Sequence, residues 1–107
     1  MKRQLVLRIE AEAGIAEAVN YYKVHSEPAL QKFIEALDAT FDVLLVSPQM
    51  YAVRWKTIRR VNLSGFPYAL WYEIVVGADL VTGEDIEFVV VLRCFHQSRN
   101  VTARSFE

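Results

Sequence analysis

The chain has 107 residues, of which 53% are hydrophobic, 12% aromatic and 23% charged, a composition that suits one packed core and leaves no room for a cofactor domain beside a substrate domain. A formal net charge of −1 argues against a protein that coats nucleic acid by charge alone, and a single cysteine, Cys94, excludes an internal disulfide and a cysteine-built metal site. No apolar run approaches the ~18 residues of a membrane span, so the expectation is one cytoplasmic domain over residues 1–107, with no membrane association, no cofactor and no metal.

The chain opens with basic Met1-Lys2-Arg3-Gln4, and its first apolar run, Leu5-Val6-Leu7, is broken by Arg8 and Glu10, too short for a signal peptide. Residues 4–9 read as a short strand, because Leu5, Leu7 and Ile9 alternate with Gln4, Val6 and Arg8. The period then changes. Ile15, Val19 and Tyr22 recur at helical spacing among Ala and Glu, which predicts a helix over residues 10–25 that Gly14 weakens. Ser26-Glu27-Pro28 starts a second helix: Ser26 suits the cap, Glu27 the positive end, and Pro28 a first turn whose N–H needs no partner. Leu30, Phe33, Ile34, Leu37, Phe41, Leu44 and Leu45 form its apolar stripe, and Ser47-Pro48 ends it. With almost no loop between them, the helices should fold back as an antiparallel hairpin.

Residues 49–56 read as irregular. Thr57 to Leu63, Tyr68 to Val76 and Ile86 to Phe95 are strand candidates rich in aromatic and β-branched residues, separated by the turn Ser64-Gly65-Phe66-Pro67 and a long polar loop over 77–85. The last strand contains Phe88-Val89-Val90-Val91-Leu92 without alternation, which predicts a central strand covered on both faces, with Cys94 a buried small hydrophobe. The expected fold is α+β and two-layered, in the order β-α-α-β-β-β: a helical hairpin on a mainly antiparallel sheet, the first strand at the edge and Phe33, Leu37, Phe41, Val89 and Val91 in the core.

Charge is unevenly spread. Residues 51–60 carry Arg54, Lys56, Arg59 and Arg60 and no acid, whereas residues 61–92 carry five acids and no base. Arg59 and Arg60 are adjacent on a strand and so point to opposite faces, either to bind an acidic partner or phosphate, or to pair with an acid such as Glu73 or Glu87. Trp71 and Tyr72 also face opposite ways. With Tyr72 under the helices, Trp71 faces outward as a partner contact. Phe66-Pro67-Tyr68 reads first as a turn stapled by aromatics. Glu84, Asp85 and Glu87 read as a solvated hairpin end rather than a metal site.

Several short motifs fall in a fixed order. They are Glu17-Ala18 and Tyr21-Tyr22 on the first helix; Ser26, Phe33, Leu37 and the exit Ser47-Pro48 on the second; Ile58-Arg59-Arg60; Phe66-Pro67-Tyr68 followed by Tyr72; and His96 two residues before Arg99. In this order the chain resembles the ParE/RelE superfamily of type II toxin–antitoxin toxins, closer to the ParE side. It departs from the pattern at Asn100-Val101, where members often carry an acidic residue and Pro, and in its longer 77–85 loop.

The resemblance implies a toxin that inhibits DNA gyrase by binding, without enzymatic chemistry, and that is held in a hetero-oligomer with a cognate antitoxin. Target or antitoxin contacts would come from Arg54, Lys56, Arg59, Arg60, Trp71 and Arg99. The alternative is a RelE-like endoribonuclease that cuts mRNA on the ribosome. Cleavage through a 2′-hydroxyl needs a proton acceptor, a proton donor and a cation for the phosphorane, which Arg60, Tyr72, His96 and Arg99 would supply by residue type, with Tyr68 a substitute for Tyr72. A third alternative is a degenerate member that binds antitoxin without poisoning.

Overall fold

The computed structural model describes residues 2–107. Its elements run β1 (Lys2–Leu7), α1 (Ile9–His25), α2 (Glu27–Val46), β2 (Val53–Trp55), β3 (Ile58–Asn62), β4 (Tyr68–Ala78) and β5 (Asp85–His96), followed by a 3-10 turn at Ala103–Phe106.

Ser26 alone separates the helices and serves both. Its N–H donates to the Tyr22 carbonyl at 2.7 Å, closing α1, and its hydroxyl accepts from the Ala29 N–H at 3.3 Å, capping α2. α2 buries Leu30, Phe33, Leu37 and Leu44 of the expected stripe together with Thr40, and Phe41 is half-buried against them. Ile34 lies at the stripe's margin and is exposed. α1 behaves differently from its apolar pattern. Its deepest residues are Ala11 and Ala18, while Ile15, Val19 and Tyr22 flank the core half-buried. Gly14 lies between them, and a Cβ there would overlap the Cys94 carbonyl oxygen. Small residues thus let α1 approach β5 closely, and Gly14 is a packing requirement rather than a simple weakness.

The sheet has five strands in the order β1-β5-β4-β3-β2. β1 runs parallel to β5 at one edge and every other neighbour pair is antiparallel. Three expectations need correction. The stretch 49–56 contains β2, a three-residue edge strand paired with β3, so the order is β-α-α-β-β-β-β. Ile9 belongs to α1 and is 76% exposed, so the alternation that placed it in the first strand breaks at Leu7. Glu87 is not solvated with Glu84 and Asp85. It is buried and accepts from the Arg3 Nε at 2.7 Å.

β5 is central and covered on both faces. Val89, Val91 and Cys94 face the helices with Phe33, Leu37 and Leu44, whereas Leu92 and Phe95 join Ile58 and Trp71 in a second cluster on the outer face. The register explains the missing alternation. Trp71 pairs with Arg93 but Tyr72 with Val91, so Leu92 is the extra residue of a bulge. That bulge lets Leu92 and Arg93 both turn outward between inward Val91 and Cys94. The outer cluster is roofed by the C-terminal segment, where Phe106 lies 6.0 Å from the Trp55 ring, 5.4 Å from Trp71 and 6.2 Å from Phe95.

Candidate functional site

The basic residues of the 51–60 block are sorted by the sheet into different tasks. Arg59 points to the helix side, where its guanidinium donates to the carbonyls of Gln49 at 3.2 Å and Tyr51 at 2.6 Å, fastening the loop after α2. It pairs with neither Glu73, which accepts from the Thr57 hydroxyl, nor Glu87. Arg60 pairs across the sheet with Trp71 and faces outward. Its guanidinium stands 5.5 Å from the Trp71 ring, and its Nε donates to the Asn62 side-chain oxygen at 3.1 Å. Lys56, in the β2–β3 turn with a φ of 52°, lies over its neighbour Trp55 at 4.6 Å. Arg54 is exposed on β2 and borders a hollow with Trp71, Val101 and Phe106.

A second hollow of about 230 Å³ adjoins this one at Trp71 and Val101 and is rimmed by Arg60, Phe95, His96 and Arg99. Arg99 is carried by the turn after β5, in which its N–H donates to the His96 carbonyl at 3.0 Å. Its guanidinium lies 4.1 Å from the Phe95 ring. Among the described residues neither Arg60 nor Arg99 meets a carboxylate. Arg54, Arg60 and Arg99 therefore form a basic border around an apolar floor on the outer face. Such a surface suits an acidic chain with aliphatic or aromatic anchors.

Of the titratable residues, His96 reaches the rim of that hollow and Tyr72 does not. His96 pairs with Tyr68, and its ring stands edge-on to the Tyr68 ring at 5.1 Å, among the helix-side aromatics Tyr22 and Phe33. Its Nδ1 accepts from the Ser98 N–H at 3.1 Å and lies 2.8 Å from the Ser98 hydroxyl, so the neutral ring carries its proton on Nε2. Tyr72 is fully buried beneath the helices, with its hydroxyl donating to the Pro48 carbonyl at 2.5 Å. Burial pushes its phenol up to about 12 against the opposing pull of the Arg59 guanidinium. Burial also raises Tyr68. Of the four residues expected to make a ribonuclease set, Arg60, His96 and Arg99 border one hollow, with the His96 ring turned edge-on to Tyr68, and Tyr72 alone is sealed beneath the helices.

Trp71 lies on the expected outer face but is not an exposed partner contact. It is 8% exposed, because the C-terminal segment covers it. What holds that cover was missed from the sequence. Arg93 is 6% exposed and donates to the carbonyl oxygens of Leu92 at 2.7 Å, Ser105 at 3.0 Å and Glu107 at 3.2 Å, with a Glu10 carboxylate 3.8 Å away. A buried guanidinium needs such acceptors. The available signal was a lone cation within an apolar run already expected to be covered on both faces. Cys94 is buried as expected, and desolvation raises its thiol to about 11, which keeps it from acting as a nucleophile.

A helical hairpin laid on a five-stranded mixed sheet is an α+β fold consistent with RelE/ParE-like toxins of type II toxin–antitoxin systems. Residues 5–101 match the family described as the ParE toxin of the type II toxin–antitoxin system parDE, and the chain belongs to that family. A search of curated proteins found no match. None of the described helices is long and apolar enough to cross a membrane.

Proposed function

We propose that this toxin acts by binding, as a non-enzymatic inhibitor of DNA gyrase, and that a cognate antitoxin neutralises it. The observation that supports this reading is the burial of Tyr72 in the core, away from the hollow that Arg60 and Arg99 border. RNA cleavage requires an acceptor, a donor and a cation converging within hydrogen-bond reach of one phosphate. Here Tyr72 is sealed under the helices, and His96, at the rim of the hollow bordered by Arg60 and Arg99, turns its ring edge-on to Tyr68. Two arginines beside an aromatic floor are well suited to recognition. The near-neutral chain also has few of the Lys and Arg contacts on which affinity for ribosomal RNA depends.

The antitoxin is expected to supply an acidic segment that orders on this domain, giving a hetero-oligomer. The test is induction in growing cells, with mRNA followed by primer extension and DNA damage by a reporter. The expected outcome is a damage response without codon-phased cuts. Cuts that vanish in His96→Ala would establish the ribonuclease instead. An unchanged culture would identify a member that retains antitoxin binding alone.

A further inference from the structure

The basic border marks one end of the molecule, and the opposite end has a different chemistry. β4 and β5 pair from Tyr68↔His96 at the basic end to Ala78↔Asp85 at the other, a separation of about 34 Å at ordinary strand rise. The molecule is correspondingly long, 47 × 28 × 23 Å. At the far end the hairpin turns through residues 79–84, and its tip presents Leu80 and Val81, which are 102% and 94% exposed. Val75 and Val76, on the strand just before it, are exposed on opposite faces of the ribbon.

Exposed aliphatics on a loop are often a mobile, incidental feature, but this loop is built. The Asp79 carboxylate accepts from the N–H groups of Val81 at 2.8 Å and Thr82 at 3.0 Å. Those two bonds hold its carboxyl below the usual carboxylate range, with the Lys2 ammonium 3.5 Å away a smaller contributor. The Thr82 hydroxyl accepts from the Glu84 N–H at 3.2 Å, the Asp79 N–H reaches the Glu84 carbonyl at 2.8 Å, and Gly83 takes the left-handed φ of 74° that closes the turn. The loop's own polar groups named here bond within the loop, Asp79 also meeting Lys2 of β1, and the two large side chains are left outside. A preordered loop pays little ordering entropy when it docks.

We propose that this hairpin tip is a docking knob for the protein the toxin poisons. The partner surface it fits is a concave aliphatic cleft with a basic rim. The shape selects a folded partner over the antitoxin: a convex, rigid projection needs a preformed cleft, whereas a disordered acidic segment is suited to the basic, aromatic-floored hollow at the other end. The charge selects the rim. Asp79, Glu84 and Asp85 flank the two aliphatics along the chain, and among the described residues Lys2 is the one base paired with any of them, at Asp79. The inference rests on the reading of gyrase as target.

The experiment measures binding of the purified full chain to purified gyrase by biolayer interferometry. Leu80→Ser with Val81→Ser leaves the melting temperature unchanged, because neither side chain is buried, and weakens binding at least about tenfold, the order expected for losing two docked aliphatic side chains. As a second readout, Leu80→Cys is labelled with an environment-sensitive dye, with buried Cys94 left unreacted. Its emission shifts to the blue when gyrase is added. Unchanged affinity together with an unshifted dye would overturn the knob and leave gyrase as target. Failure of the unsubstituted chain to bind gyrase would overturn the target, and the knob with it.

Discussion

Tyr72 illustrates how a single side chain can belong to a catalytic pattern by type and to the core by position. Its hydroxyl has one partner, the Pro48 carbonyl, and its ring has no exposure. The phenol is neutral in both folded and unfolded chains below about pH 10. Above that the unfolded chain releases the proton while the folded chain retains it until about pH 12. The folded state then binds more protons than the unfolded one, so stability falls as pH rises between those values. Denaturant melts at a series of alkaline pH values should show this slope, and Tyr72→Phe should reduce it. At neutral pH Tyr72→Phe should cost about 1 kcal/mol for the lost hydrogen bond. An identical alkaline slope in both proteins would place the sensitivity elsewhere. The sequence shows that Tyr72 opposes Trp71, since neighbours on a strand face opposite ways. It does not show which face the C-terminal segment covers, because that depends on contacts between residues far apart in the chain.

At the scale of elements, legibility followed how much of the burial is local. α2 carries its stripe, its Ser26 cap and its Ser47-Pro48 exit in one stretch, and the structure agrees with all three except at the stripe's exposed margin, Ile34. β2 was invisible because its three residues are exposed and show no period. α1 was read by its large apolar residues, while the contact that positions it is made by Ala11, Gly14 and Ala18, whose smallness gives no hydrophobic signal. Gly14→Ala makes the distinction measurable. In an exposed helix this change stabilises by about 1 kcal/mol. Here the new methyl meets the Cys94 backbone carbonyl, which cannot rotate aside, so an overpacking loss of about 1–3 kcal/mol should outweigh the helix gain and lower the melting temperature. A rise would show that α1 can lift from the sheet at little cost. The C-terminal segment offers a second test. Phe106→Ala removes the ring that covers Trp55 and Trp71, and should shift tryptophan emission to the red at a cost of about 1–2 kcal/mol, with far-UV circular dichroism nearly unchanged.

Across the whole molecule the net charge of −1 conceals a separation of charge, with Arg54, Arg60 and Arg99 at one end and Asp79, Glu84 and Asp85 at the other. A nearly neutral protein can therefore still steer an acidic partner, since association senses the local field at the approaching face. Arg60 and Arg99 are the appropriate probes, because the bond from Arg60 to Asn62 is solvent-exposed and Arg99 rests on Phe95. Arg59 is not, although it is the sequence neighbour of Arg60, because its loss strands the Gln49 and Tyr51 carbonyls. Arg60→Ala with Arg99→Ala should leave the melting temperature nearly unchanged. It should lower the association rate with the cognate antitoxin by roughly tenfold at low salt, with the difference shrinking once screening shortens the electrostatic reach to ~3 Å at 1 M. Arg59→Ala should instead cost about 1–3 kcal/mol of stability and change the association rate less. Stopped-flow association across a salt series separates the two. If Arg59→Ala slows binding as much as the double variant does at unchanged stability, the antitoxin would be engaging the loop after α2, and the basic border would have to be moved to the other face of the sheet.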